Sequence, residues 1–391
     1  VTIKKLYDEN FAASYQLAQY AFRFTDDQQH QDGLRTLFKH STVYGAFFDQ
    51  QLASQIIATP LKVQLFNQIF DMAGIGFVSS DPSFRGQGNI DQLMQQMLVD
   101  CYENGILLSY LDPFSYPFYR RYGYELTFER ICYDVKSSEW PDSPKSDGYV
   151  RRLTWEKAKD AIKQIDQRSD QHKHGGVLRE DWWYEYKFSI SHTYYFAIYY
   201  NEQDQAEGYL IYQIENGKFN CTRWLNLTGA AYKGLNRYIA SHKDSTDRIV
   251  YEKGYDKNEG FFLQDKPITQ ATIRPEMMAR IVDIEAFLRK CSLKNLKESF
   301  AITIEKDKYA PWNEGTFELI KAEAEQPEIR KVTATQLPEL KISVQRFAQL
   351  FLGYCSINEL VFHELVQVDE KIVDTIKQLT PQQVPILEDY F

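Results

Sequence analysis

At 391 residues the chain is too long for one ordinary hydrophobic core, so two or three domains are expected. Acidic side chains outnumber basic ones, 54 against 45, and the net charge of -9 excludes a general nucleic-acid binder while favouring cationic small molecules as partners. No apolar run is long enough to span a bilayer, and Val1 to Lys5 leads into a polar segment without a signal-peptide core, which predicts a cytoplasmic protein. The five cysteines (Cys101, Cys132, Cys221, Cys291 and Cys355) are scattered with no CxxC pair, the pattern of free thiols in a reducing compartment rather than of a disulfide framework or a zinc site.

Along the chain, residues 12–22 read as a helix and 42–48 as a strand, with 52–60 and 62–70 as neighbouring antiparallel strands and 72–79 as a further one. The loop 81–88 follows. Ile90, Leu93, Met94, Met97, Leu98 and Cys101 then recur at helical spacing as one buried stripe, Gly105 is placed to stop that helix, and 106–111 returns as an apolar strand. Turn-rich stretches at 137–148 and 265–276, each with two prolines, look like seams. They set expected domains at 1–145, 146–283 and 284–391. In the middle piece, 155–169 reads as a helix, 193–200 as a strand, 207–227 as a hairpin around Asn216-Gly217, 228–242 as a helix and 248–252 as a strand. It has no glycine-rich loop between hairpin and helix. The last piece shows strands at 300–305, 316–322 and 331–335 and helices around 343–351 and 369–378, with no acid–base cluster. The expected class is α+β.

The strongest local signal is Arg85-Gly86-Gln87-Gly88-Asn89 between a strand and a helix. A helix N-terminus offers unpaired N–H groups and partial positive charge, glycines let the backbone approach phosphate oxygens, and Arg85 adds a cation, so the loop suits a pyrophosphate. It is neither a Walker A loop nor a dinucleotide GxGxxG. Taken alone it favours a glycine turn that merely starts a helix. A second motif changes that reading: Phe118-Tyr119-Arg120-Arg121-Tyr122-Gly123-Tyr124, just after the next strand.

The ordered pair, R-x-x-G opening a helix and F-Y-x-x-x-G-[FY] about thirty residues on, resembles the GNAT N-acetyltransferase superfamily. The resemblance implies acetyl-CoA as co-substrate and no metal. Its pantetheine arm would lie along Val78, Ser79 and Ser80, with main-chain contacts at Val78 and Ser80, and its pyrophosphate on the loop Arg85, Gly86, Gln87, Gly88 and Asn89. Acetyl transfer to an amine needs a base for the ammonium proton, donors for the oxyanion and an acid for the departing thiolate. The resemblance makes Tyr119 that acid; the alternative is one packing aromatic among Tyr116, Phe118, Tyr122 and Tyr124. The loop departs from the family in having Ile90 where Gly or Ala is common and a single arginine, so backbone amides would carry most of the phosphate binding. That departure motivates the alternative function, a catalytically weakened binding or scaffolding protein with the same fold.

The whole layout resembles the Eis (enhanced intracellular survival) family. Ala73-Gly74-Ile75-Gly76-Phe77-Val78 before Asp81-Pro82, then Gly175-Gly176-Val177-Leu178-Arg179, Met278-Ala279-Arg280-Ile281-Val282-Asp283 and Phe351-Leu352-Gly353 carry it in order. It implies two tandem GNAT-like domains, each a mixed sheet with flanking helices and the second degenerate, a sterol-carrier-like α+β third domain, and a homo-oligomer, hexameric by family. It also implies the chain's terminal carboxylate, at Phe391, as general base; the apolar run Val384 to Leu387 argues that this tail docks. The acceptors implied are amines of aminoglycosides, polyamines or lysine side chains, held by Phe24, Asp26 and Phe77, with Asp27 an equally simple source of charge. His172 and His174 read as an exposed turn rather than a metal site, and Trp182 and Trp183 as packing of the second domain.

Overall fold

The computed structural model describes residues 1–170, 174–190, 193–256, 268–294, 296–322 and 326–391, so His172 lies outside the described residues. In chain order the elements are β1 (Thr2–Leu6), α1 (Phe11–Phe22), α2 (Gln28–His40), β2 (Thr42–Phe48), β3 (Gln51–Leu65), β4 (Gln68–Ser80), α3 (Asn89–Glu103), β5 (Leu108–Leu111), α4 (Tyr116–Arg120) and β6 (Glu125–Leu126). Next come β7 (Glu129–Lys136), β8 (Tyr149–Leu153), α5 (Trp155–Arg168), β9 (Val177–Leu178), α6 (Asp181–Glu185), β10 (Tyr195–Tyr200), β11 (Ala206–Glu215), β12 (Lys218–Asn226), α7 (Gly229–Ala240), β13 (Arg248–Gly254) and β14 (Thr272–Pro275). The chain continues with β15 (Met278–Ile281), α8 (Ile284–Lys290), β16 (Phe300–Ile304), β17 (Gly315–Ile320), β18 (Glu328–Val332), β19 (Glu339–Ile342), α9 (Val344–Phe351), α10 (Ile357–Phe362), β20 (Gln367–Val368) and α11 (Val373–Leu379).

Contacts divide the chain into two units, Val1–Phe128 with Lys173–Arg179 and Glu276–Phe391, and Glu129–His172 with Glu180–Pro275. The first unit holds a sheet in the order β1-β2-β3-β4-β5-β15-β6, with β9 on β3, and a sheet in the order β18-β17-β16-β19-β20. The predicted stripe of α3 lies against one face of the first sheet, where Leu93, Met94, Met97, Leu98 and Cys101 meet Tyr44, Ile56, Ile75 and Leu111. Among the described residues the second unit has one sheet, β14-β7-β13-β12-β11-β10-β8. Alternation along β10 decides its two faces: Phe196 and Ile198 pack with Trp155, Ile162 and Ile165 of α5, while Ala197 and Tyr199 pack with Leu235 and Ile239 of α7.

Three differences from expectation have physical reasons. First, β3 does not break at Pro60. It runs to Leu65 and turns through Phe66 and Asn67, both at positive φ (51° and 57°), into β4, so the strands expected at 62–70 and 72–79 belong to one hairpin with β3. Pro60 is tolerated because it pairs with Ala73 on one side, while on the other β2 reaches only to Ala58 and β9 starts at Lys62, so no ladder is missing its N–H. Second, the stretch 137–148 is not a seam by contacts: Trp140 is 1% exposed, and its Nε1 donates to Asn236 Oδ1 at 2.7 Å. The contact boundary falls at Phe128, ahead of the domain end expected at 145. Third, Met278–Ile281, which precedes α8 at the entry to the last piece, is itself a strand, β15, and fills the space between β5 and β6. There Arg280 is wholly buried, paired with Asp307 at 2.7 Å and donating to the carbonyl of Tyr122.

Candidate active site

The site begins where two parallel strands part. Met72–Ile75 of β4 pair with Leu108–Leu111 of β5, and there β5 ends while β4 runs on to Ser80. A register shift against β3 falls in this stretch, with Phe77 at a φ of 50°. Gly76 to Ser80 therefore turn an edge without a strand partner toward the side β5 has left, which is the main-chain surface an extended pantetheine amide chain needs. Phe391 lies over the face of β4 at this point. A β-carbon on Gly74 would lie 2.5 Å from the Phe391 ring, and one on Gly76 would lie 2.7 Å from its terminal oxygen. The tail is docked rather than frayed: Ile386 N–H donates to His174 O at 2.9 Å and Leu387 is buried.

Beyond β4, Asp81 accepts from Ser83 N–H at 2.8 Å, and the chain then passes Gly86 (φ 79°) and Gly88 (φ 76°) into α3. No side chain caps that helix. Nothing would meet a β-carbon on Gly86, so this backbone faces open space. Asn89 is buried and its Oδ1 has no hydrogen-bond partner, so it would take a donor and not the anion itself. The uncapped start of α3 and the open backbone at Gly86 fit an anionic group on the backbone amides and leave room for the phosphates of acetyl-CoA.

The cleft bounded by these parts encloses about 780 Å³. Its walls include Val78, Ser79, Ser80, Arg85, Gly86, Gly88 and Asn89, with Phe84, Ile90 and Asp91 beside them. Phe114, Phe118, Arg121 and Tyr122 line it as well, as do Ala21 and Phe22. Gln87, Tyr119, Phe391, Phe24, Asp26 and Phe77 are not among its wall residues. Ile90 reaches past the wall to pack on the first core. The sequence reading missed Arg121, whose guanidinium lies 4.6 Å from the Phe118 ring centroid and 4.0 Å from Asp91 Oδ1. It gives the cleft a second cation beside Arg85 in its lining. Asp91 would oppose an anion, but it also accepts from the hydroxyls of Tyr122 and Tyr309.

Tyr119 is 2% exposed and sits edge-on to Phe114 and Phe118, with ring centroids 5.5 and 5.1 Å away. Burial, helped by the charge of Asp112, pushes its phenol well above the ordinary tyrosine range. Gly123 of the same motif has a φ of 82°, and a β-carbon there would strike the buried Arg280 guanidinium at 2.8 Å.

The expected acceptor residues split. Phe77 meets Phe22 edge-on at 5.4 Å. Phe24 stacks on His30 at 4.8 Å, and Asp26 Oδ1 accepts from Tyr15 Oη and Gln31 Nε2, both at 2.9 Å. Asp27 is committed to capping α2, accepting from His30 N–H at 2.9 Å, a bond that holds its carboxyl below the usual range. His174 is buried, not exposed as read; its Nε2 lies 3.0 Å from Leu352 O, and burial lowers its pKa. Among the described residues no group of three His, Cys, Asp or Glu side chains could hold a metal ion, and no helix is long and apolar enough to cross a membrane.

Comparison with known proteins matches residues 2–127 and 175–281 to two acetyltransferase (GNAT) domain families and 284–388 to a sterol carrier protein domain. A conserved protein of unknown function from Enterococcus faecalis V583, given as a probable N-acyltransferase, is 38% identical over 100% of this chain and 99% of its own, with a TM-score of 0.93. A GCN5-related N-acetyltransferase from Anabaena variabilis ATCC 29413 shares the fold at 19% identity and a TM-score of 0.85, covering 100% of both chains. Eis1 from Mycobacterium abscessus shares it at 17% identity and a TM-score of 0.80, again with 100% of both covered. No curated protein matches the chain.

Proposed function

The chain belongs to the GNAT acetyltransferases, with tandem GNAT domains and a sterol-carrier-like third domain in an α+β fold, and from that premise we propose that it acetylates cationic amines in the manner of the Eis family. The observation that carries the reading is the open β4 edge, Gly76 to Ser80, running into an uncapped helix led by Gly86 and Gly88. Val78 and Ser80 would align the pantetheine arm. The amides from Gly86 to Asn89, with Arg85 and Arg121, would hold the phosphates.

Acetyl-CoA, when bound, supplies the thioester whose acetyl group passes to the amine nitrogen as the C–S bond breaks. The carboxylate of Phe391 would take the ammonium proton, since an α-carboxyl with an ordinary pKa near ~3.5 is ionised at neutral pH. The Tyr119 hydroxyl would return a proton to the departing sulfur. Its raised pKa keeps that donor loaded at every working pH, and the same burial disfavours the free thiolate it serves. The acidic surface and the ring pair Phe22 and Phe77, with Asp26 near the end of α1, support a cationic acceptor of the polyamine, aminoglycoside or lysine type. The same family likeness extends the proposal to a homohexamer, and the five free cysteines to a reducing cytoplasm.

The test is CoA release with a panel of polyamines, aminoglycosides and lysine peptides. Tyr119→Phe and deletion of Phe391 should each lower kcat by about 10²–10⁴-fold while acetyl-CoA still raises Tm. No CoA release from any acceptor would favour the scaffold alternative; an undiminished rate in either variant would remove that residue from the mechanism.

A further inference from the structure

A terminal carboxylate is a poor base unless something holds it, because chain ends ordinarily fray. We propose that the buried ion pair between Arg179 and Asp389 is the clamp that sets the Phe391 carboxylate over Gly76, where β4 parts from β5, which makes Arg179 a positioning residue for proton removal; this rests on reading that carboxylate as the base.

The pair is bidentate. Arg179 Nη2 lies 2.8 Å from Asp389 Oδ2 and its Nε 3.0 Å from Oδ1, with both side chains 1% exposed. Two parallel hydrogen bonds fix direction as well as distance, and only Tyr390 stands between Asp389 and the residue that bears the carboxylate. Arg179 follows directly on β9, whose Val177 and Leu178 pair with Val63 and Lys62 of β3, so the clamp is tied to the sheet that carries the wedge. Two further holds flank it: Ile386 N–H donates to the carbonyl of His174, and the Tyr390 hydroxyl donates to the Glu276 carboxylate. As a mere stabiliser the clamp is an odd choice, since a buried ion pair gains little over a well-packed apolar pair of the same volume. What it adds over an apolar pair is orientation, and Gly74 and Gly76 leave the terminal residue room in one place.

The experiment uses the full chain with Asp389→Asn, Arg179→Lys, the apolar double variant Arg179→Met with Asp389→Leu, and deletion of Phe391 as reference. For each, kcat, KM for acetyl-CoA, Tm and rescue by added formate are measured. The clamp variants should lose kcat by up to about a hundredfold at unchanged KM for acetyl-CoA. The apolar pair should do so at an undiminished Tm, and formate should restore part of the rate in clamp variants and deletion alike by standing in for the carboxylate. Full kcat in the clamp variants beside an inactive deletion would overturn the clamp alone. Full kcat in the deletion would overturn the underlying assignment of the base. Loss of kcat that formate does not rescue in the clamp variants, while it rescues the deletion, would reduce Arg179 to a structural role.

Discussion

The two units contain the same wedge, built to opposite ends. In the first, β4 pairs with β5 over Met72–Ile75 and then continues five residues beside β3 without β5; in the second, β12 pairs in parallel with β13 over Lys218–Cys221 and likewise continues five residues to Asn226 beside β11. At the first, Gly74 and Gly76 leave the face of β4 bare for Phe391 to lie over, and no ring of its own strands fills the gap. The second is filled by its own rings. Trp224, at the step that corresponds to Val78, stacks on Tyr232 at 4.9 Å and lies 5.6 Å from Tyr251, whose hydroxyl reaches Trp224 O at 3.5 Å. The helices that follow differ as well. An eight-residue loop, 81–88, leads to the uncapped α3, whereas two residues lead to α7, where Thr228 Oγ1 accepts from Ala231 N–H at 3.1 Å. One splay was kept open and its amides left free; the other was plugged and capped. The two splays thus differ in small residues and caps rather than in fold.

The comparison can be broken by exchanging its parts. The largest effect is expected from Val78→Trp, which gives the first wedge the plug of the second: kcat/KM should fall by more than about a hundredfold and the acetyl-CoA thermal shift should vanish, measured by steady-state kinetics and melting. The reverse change, Trp224→Ala, should cost about 3–5 kcal/mol in a denaturant melt yet create no acetyl-CoA site, because Thr228 still caps α7. Acetyl-CoA binding that needs the second unit in that variant would break the contrast. Gly76→Ala should be milder, since its new β-carbon displaces only the end of Phe391: about tenfold in kcat, with acetyl-CoA affinity kept. The smallest effect is a pH dependence. Tyr119 holds its proton more tightly folded than unfolded, so its contribution to stability is whole below about pH 10 and is lost as pH rises through the raised pKa. Tm measured against pH should therefore show Tyr119→Phe gaining on the wild type only above about pH 10.

What could be read from the sequence was what local chemistry dictates. Gly86, Gly88 and the Asn216-Gly217 turn announce themselves because positive φ asks for such residues, and the α3 stripe because burial repeats with the helix. The turn at Phe66-Asn67 was hidden because phenylalanine seldom takes positive φ, and Pro60 suggested a break because nothing local says which strand edge lacks a partner. The cleft wall at Arg121 and the burial of His174 depend on residues far away in sequence, which no periodicity reports. Asp26 and Asp27 were indistinguishable in sequence; the cap geometry of α2 separates them.

The strand β15 has a consequence for how the molecule is made. It lies between β5 and β6, yet some 150 residues of chain separate it from β6 in sequence, and they include the whole second unit. Emerging from the ribosome, the first sheet therefore waits with its β5 edge unpaired until residue 281 has been synthesised. An expressed fragment covering only the first 145 residues would lack that strand and expose a bare edge, so it should associate with itself rather than yield a small working acetyltransferase.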